Sequence, residues 1–543
     1  MRLRVPAILA AINLLALVYI FLIADLMRQV QVMASIGVTA LVLSLIFLWF
    51  VFFSGAPMKA RVALVAGVAV LGALSAALFR VRGVTGDLVP IVEYRFAKPR
   101  ALPEAQPRPI DAIDPGPAQV SASPSLEPSS IPAAKPEESA VAPAPAAPAP
   151  VAREASHRDW PQYLGPSRSG VVADITLASD WATKAPKLLW RQPVGAGWAG
   201  FAVSGDFAIT LEQRGKEEQV IAYELQTGRP RWSHRDPVLH DSPLGGLGPR
   251  GVPAIDAGQV FALGATGILN ALDLRSGRLL WSRNILKDNN SAEPEWGVAI
   301  SPLVHEGQVI VAAGGSPGKA LVAYDRHTGE PVWAAGNGVL AYSSPVLMTL
   351  AGREQIVMLN KGTVAGHDPN TGAELWTHEV PSEQPRAAQP LQVSANRVLF
   401  SIGYGIGSRV FELGTTEAAG LAAKLMWATP RLKSKFANMI LHEGSVYGLD
   451  DGVFVCLDAE TGERRWKEGR FGHGQLILAG KHLLVHTETG EVVLVEPNPE
   501  RLIEVARFRA LDGKTWNPPA FAAPILLVRN DLEAAAYELA VLR

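Results

Sequence analysis

The sequence predicts an all-β fold, an eight-bladed β-propeller, preceded by three transmembrane α-helices and a disordered Pro/Ala linker. Three observations predict it. A 13-residue motif recurs through the C-terminal part of the chain. The tryptophans that end it stand about 45 residues apart, the length of a four-stranded blade. The motif is also split between the two ends of the module, so the ring closes by sharing its last blade.

The membrane domain comes first, over residues 1–82. Residues 5–24, 33–58 and 62–79 carry no charge, and each is about long enough to cross roughly 30 Å of hydrocarbon as a helix. A signal peptide fits the first stretch less well, because no small-x-small cleavage site follows and two more spans do. Arg2, Arg4, Lys59 and Arg61 flank the inner side, while Asp25 and Arg28 cancel in the first outer loop. The positive-inside rule then places the N-terminus in the cytoplasm and everything after Phe79 outside, although Arg80 and Arg82 run against it. The expected location is a bacterial-type inner membrane, with the propeller facing the periplasm or cell exterior.

Residues 83–98 form a juxtamembrane segment, and residues 99–156 a linker. The linker is roughly half Pro and Ala and cannot bury enough apolar surface to fold. An extended spacer of about 3 Å per residue is expected, holding the following module away from the membrane.

That module spans residues 157–543. VIAYELQTGRPRW (220–232), LNALDLRSGRLLW (269–281), LVAYDRHTGEPVW (321–333), VAGHDPNTGAELW (364–376) and FVCLDAETGERRW (454–466) align without gaps. The acid (Glu224, Asp273, Asp325, Asp368, Asp458) accepts backbone N–H bonds in a turn. The glycine (Gly228, Gly277, Gly329, Gly372, Gly462) supplies positive φ for the hairpin. The tryptophan, four residues later, offers a flat face to the neighbouring unit and an indole N–H that needs a partner. A small residue (Ala222, Ala271, Ala323, Gly366) marks a tight slot. Cys456 fills that slot in the fifth copy, so it reads as a small buried hydrophobe rather than a reactive thiol.

Trp190, Trp232, Trp281, Trp333, Trp376, Trp427 and Trp466 count seven blades, and Phe508 stands as a degenerate eighth. Ala536-Tyr537-Glu538-Leu539 repeats residues 222–225, but the chain stops before the outer strand and its tryptophan. The missing strand is Lys187-Leu188-Leu189-Trp190, which has no inner strands before it.

Composition narrows the function. With 50 Lys+Arg against 51 Asp+Glu there is no basic footprint for nucleic acid. One cysteine excludes a disulfide framework, a Cys-based zinc site and a C-x-x-C-H haem attachment. Gly195-x-Gly197-x-x-Gly200 leads into a strand, whereas a dinucleotide fingerprint must open a helix, so NAD is not expected.

The repeat resembles that of quinoprotein-type eight-bladed propellers. These comprise the pyrroloquinoline-quinone (PQQ) alcohol dehydrogenases and cofactor-free relatives such as the propeller lipoprotein of the outer-membrane β-barrel assembly machinery. Asp159-Trp160-Pro161-Gln162-Tyr163-Leu164-Gly165-Pro166-Ser167-Arg168 resembles the W-P-Q-x-x-G-P-x-R start of PQQ-like repeat proteins. The resemblance is specific for the fold and weak for the activity, because enzymes and scaffolds share it.

In such a ring the connections between blades line the mouth of the central channel, where small ligands sit. Trp198, Arg250, Trp296, Ser343, Gln389, Lys435, Asn438, His473, Gln475, Trp516 and Asn517 fall in these connections. Aromatic faces with cations and amides suit a flat polyanion, of which PQQ is one. The competing expectation is that these side chains pair with one another and plug the channel. An enzyme of the family would carry adjacent cysteines over the cofactor, an Asp base and a carboxylate-rich calcium site. The single cysteine and the lack of Asp in the connections count against that, leaving Glu295 and Asn438 as thin calcium ligands. The favoured reading is a membrane-anchored binding or scaffold module, its mouth taking a small molecule or an envelope protein. The alternative is a PQQ- and calcium-dependent dehydrogenase that oxidises alcohols or sugars and feeds membrane quinone.

Overall fold

The structure, a computed structural model, describes residues 4–24, 26, 28–96, 159–315, 317–415 and 420–542. The linker expected at 99–156, and Asp25 of the first loop, lie outside the described residues.

Helix α1 (Arg4–Val18) runs on into a π-helical stretch, Tyr19–Ile23, and is followed by α2 (Arg28–Phe53) and α3 (Met58–Leu78). All three are long and apolar enough to cross a membrane. The second helix starts and ends earlier than the uncharged stretch implied. Its end is set by backbone chemistry rather than by charge. Ser54 Oγ donates to Phe50 O at 2.6 Å and accepts from Ala56 N at 3.1 Å. Gly55 follows at φ +67, and Pro57 is the N-cap of the next helix.

α3 passes directly into a hairpin of β1 (Phe79–Val84) and β2 (Pro90–Tyr94), paired from Phe79↔Tyr94 to Val84↔Pro90. The two arginines that run against the charge rule belong to β1. Arg80 and Arg82 pair with Glu93 at 3.4 and 3.1 Å, and Arg82 also reaches Asp531 of the propeller at 2.8 Å.

Eight four-stranded antiparallel blades follow. Blades 1 to 7 occupy residues 202–236, 254–284, 303–335, 346–379, 391–429, 440–470 and 475–509. Blade 8 takes three strands from residues 520–538 and its outer strand, β4 (Lys187–Pro193), from the start of the module. Ala536 lies opposite Trp190 as Ala222 lies opposite Trp232, with the same bulge one residue on. The split repeat therefore closes the ring as expected.

The repeat residues act where the motif implied. Asp273 Oδ1 accepts from Arg275 N and Ser276 N at 3.2 and 2.9 Å, and Gly277 takes φ +70. The glycine has a second duty. A Cβ on Gly228, Gly277, Gly329, Gly372 or Gly462 would lie 2.4–2.6 Å from the tryptophan of the preceding blade, namely Trp190, Trp232, Trp281, Trp333 or Trp427. Each ring thus lies flat on bare backbone. The indole N–H groups of Trp190 and Trp232 cross to Leu225 O and Leu274 O, both at 2.9 Å. Cys456 is fully buried opposite Trp466, as its slot predicts.

Phe508 does not take the eighth anchor position. In blade 7 the residue before the bulge pairs as Leu494↔Ala506, so Ala506 occupies the tryptophan site. The partner slot has grown to leucine as the anchor has shrunk, which conserves volume. Phe508 packs instead against Trp181 and Tyr537, with ring centroids 5.4 and 4.8 Å apart.

The lead-in segment lines the inside of the channel. Trp160 bridges Val203 of blade 1, Pro161 O accepts from Ile255 N of blade 2, and the buried Arg168 donates to Ser301 O and Pro302 O before blade 3. β3 (Val171–Val172) then pairs in parallel with the inner strand of blade 7. Asp159 bonds Ser204 and Gly205, in the turn between the first two strands of blade 1, so the segment enters from the face opposite the mouth.

Candidate functional site at the propeller mouth

A cavity of about 260 Å³ lies at the mouth, with Tyr163 of the lead-in segment in its wall and Val84, Thr85, Gly86 and Leu88 of the hairpin at its rim. Trp198, Arg250, Trp296, Gln389, Lys435, Gln475 and Trp516 line it, as the sequence implied, together with Tyr342, Tyr404 and Phe436. Trp198 meets Trp516 at 4.8 Å between centroids, and Trp296 stacks on Tyr342 at 5.1 Å. Burial pushes the Tyr163 hydroxyl up to about 12, against the pull of Arg168.

Four predicted site residues do not line the cavity. Ser343 Oγ donates to Ala388 O at 3.1 Å. Asn438 is wholly engaged with Leu476, donating to its O at 2.8 Å and accepting from its N at 2.9 Å. Asn517 donates to Gly197 O and Ala199 O at 3.1 and 2.8 Å. His473 faces the hairpin. Gln475 and Gln389 do line the cavity, yet their amides are also engaged, Gln475 with Asn438 N, Phe436 O and Trp516 O, and Gln389 with the Ser344 backbone. These amides stitch one blade's connection to the next by bonding backbone groups that no strand ladder reaches.

The tip of the hairpin is held by polar contacts on every side. Gly86 N donates to Glu488 Oε1 at 2.6 Å, and Gly86 O accepts from Lys435 Nζ at 3.0 Å and from Gln29 Nε2, at the start of α2, at 2.8 Å. Asp87 meets His473 Nε2 and Arg470 Nη1, each at 3.3 Å. Burial works to raise the Asp87 carboxyl, but His473, Lys435 and Arg470 together hold it below its ordinary value. Lys514 donates to Val84 O at 3.2 Å while lying 4.0 Å from the Trp516 ring and 4.6 Å from Trp198.

Carboxylates also reach the mouth from a place the sequence reading left out. The turns between the second and third strand of each blade open on the same face, and they bring Asp450, Asp451, Glu488 and also Tyr404. Glu488 accepts from Trp516 Nε1 at 2.8 Å and His473 N at 3.1 Å besides Gly86. Asp450 takes Lys433 and Lys467, each at 2.5 Å. The mouth is therefore not acid-poor, as counting the connections alone suggested.

The calcium pair is not assembled. Glu295 is exposed and the oxygen of Asn438 is occupied by Leu476 N–H. Among the described residues no three His, Cys, Asp or Glu side chains gather in a metal-binding arrangement. The cations are committed as well. Arg250 donates to Gly246 O and Gly248 O at 3.0 and 2.5 Å, and burial pulls it down to about 10. Burial likewise brings Lys514 down to about 8 and lowers Lys435. With the hairpin seated, the residues present do not fit a free polyanion such as PQQ.

The profile of a PQQ-repeat family described as outer membrane protein assembly factor BamB matches residues 170–297 and again 291–468. Among solved structures, a europium-containing methanol dehydrogenase superposes with a TM-score of 0.52 at 13% identity, covering 70% of this chain and 91% of its own. BamB from Moraxella catarrhalis does so with 0.47 at 18% identity, covering 65% and 100%. The quinohemoprotein alcohol dehydrogenase ADHIIG from Pseudomonas putida HK5 gives 0.49 at 11%, covering 70% and 80%. At 13% identity the likeness to the methanol dehydrogenase establishes the fold alone. No curated protein matches the chain in sequence.

Proposed function

Because the chain belongs to the PQQ-repeat propeller family described as outer membrane protein assembly factor BamB, we propose that it is a membrane-anchored, extracytoplasmic binding or scaffold module of the cell envelope. Its three helices would sit in a bacterial-type inner membrane, with the propeller mouth held at the outer surface of that membrane by the hairpin and Gln29, where a partner protein would have to reach it. The observation that carries this reading is the commitment of the mouth cations. Arg250, Lys435 and Lys514 each bond backbone carbonyls of the protein itself, and the anchor's own hairpin occupies the rim. A redox cofactor would need those donors.

The aromatic wall of the cavity favours a second reading, a PQQ- and calcium-dependent dehydrogenase passing electrons to membrane quinone. One experiment separates the two. The full chain in detergent micelles is titrated with PQQ and Ca²⁺ by calorimetry and tryptophan fluorescence. A scaffold gives no heat at millimolar ligand, and a photo-crosslinker at the exposed Leu244 of the rim captures an envelope protein in cells. Micromolar PQQ binding that is lost in Arg250→Ala contradicts the scaffold and supports the dehydrogenase.

A further inference from the structure

The contacts at the rim have the character of a recognition site. Glu488, Lys435, His473 and Arg470 come from blades 5 to 7 and their connections, and all four meet the two residues Gly86 and Asp87. The site reads the backbone of the first through both its N–H and its C=O, and the carboxylate of the second. It also reads size. A Cβ on Gly86 would lie 2.0 Å from His473 Cδ2 and 2.5 Å from its Cγ, so only glycine fits. Charge complements as well, with an ammonium and a guanidinium near one carboxylate that also meets His473 Nε2.

Nothing in the fold of the hairpin demands this seat. β1 and β2 pair with each other along their length, from Phe79 to Tyr94, and the turn closes on itself through Leu88 N to Thr85 O at 2.9 Å; Arg82–Asp531 and Lys514–Val84 O add contacts to the propeller. Two parts of the chain far apart in sequence therefore meet as ligand and receptor. We propose that the propeller mouth is a receptor for a Gly–Asp turn at the tip of a β-hairpin, and that residues 84–88 are its tethered occupant. A partner protein carrying such an acidic turn gains the aromatic cavity only by displacing the chain's own. This rests on the reading of the mouth as the binding face of a scaffold.

The test uses the full chain in detergent micelles and a fluorescent synthetic peptide of residues 79–94 as probe. In the Gly86→Val chain the added side chain collides with His473 and expels the resident turn, while the propeller keeps every residue. That chain should bind the peptide at least ten-fold more tightly than the parent does. A peptide that itself carries Gly86→Val should bind neither. Adding Glu488→Gln to the Gly86→Val chain should weaken binding at least ten-fold, with an unchanged melting midpoint confirming the fold; an unchanged affinity means that Glu488 does not read the turn. No binding to the Gly86→Val chain at an unchanged melting midpoint overturns the receptor. Equal binding to parent and variant overturns the tethered occupant. Each outcome is independent of the PQQ titration, so failure here is distinguishable from failure of the scaffold reading.

Discussion

Glu218 lies almost wholly buried at the head of the third strand of blade 1, where its carboxylate accepts from Ala265 N at 3.0 Å. Burial outweighs that bond and pushes its pKa up to about 7. Between pH 4.5 and 7 the folded chain holds a proton there that the unfolded chain has released, so stability falls as pH rises through that window. Glu218→Gln keeps an acceptor for Ala265 N–H and removes the titration. Thermal unfolding should show the variant flat across this window and about 3 kcal/mol more stable at pH 8. The glycines separate in the same way. Gly277 and Gly258 both take positive φ, +70 and +79, but only Gly277 carries a tryptophan against its Cα. Gly258→Ala should cost about 1 kcal/mol from the backbone alone. Gly277→Ala should cost about 2–3 kcal/mol more, because Trp232 must move. Sequence spacing exposed the first duty of these glycines. The second depends on contact between blades, which a single repeat does not contain.

At the scale of the element, the ring-closing blade and an interior blade are built alike but loaded differently. Trp190 is buried and bonds across to Leu225 O of blade 1, whereas Trp333 is half-buried and bonds Gln308 Oε1 within its own blade at 2.6 Å. Trp190→Ala should lower stability by about 3–5 kcal/mol, and Trp333→Ala by about half as much, in urea unfolding monitored by circular dichroism. The blades themselves were legible because each repeats the same turn, slot and anchor. The anchor of blade 7 is hidden because volume has moved from one strand to its neighbour, as Leu494 and Ala506 show, and a gapless alignment, which points to Phe508, does not follow such an exchange. The β1–β2 hairpin went unread for a different reason. Its alternating residues spell a strand pair, but the partner that fixes its tip lies about 400 residues away.

Taken whole, the molecule fills its channel twice, from below by the lead-in segment and at the mouth by the hairpin that continues α3. At the mouth the amides and cations bond backbone groups, while the rings leave a cavity between them. The carboxylate of Asp87 is held below its ordinary value of 3.8 by the cations around it. Its contribution is full above about pH 5 and is lost as pH falls through the lowered value, so hydrogen exchange at residues 84–88 should quicken in acid relative to the blades.

The most direct measurement is a covalent lock between hairpin and mouth. A Cβ on Gly86 lies 2.5 Å from His473 Cγ, so the Cβ atoms of cysteines at the two positions lie no more than about 4 Å apart, close enough to bridge. The native Cys456 is buried and does not compete. The full chain with Gly86→Cys, His473→Cys and a protease site inserted in residues 99–156 is oxidised mildly and then cut. A hairpin seated in the mouth of its own propeller leaves the two fragments as one band until reductant is added. Fragments that separate without reductant, or that join only as a dimer of two chains, contradict it.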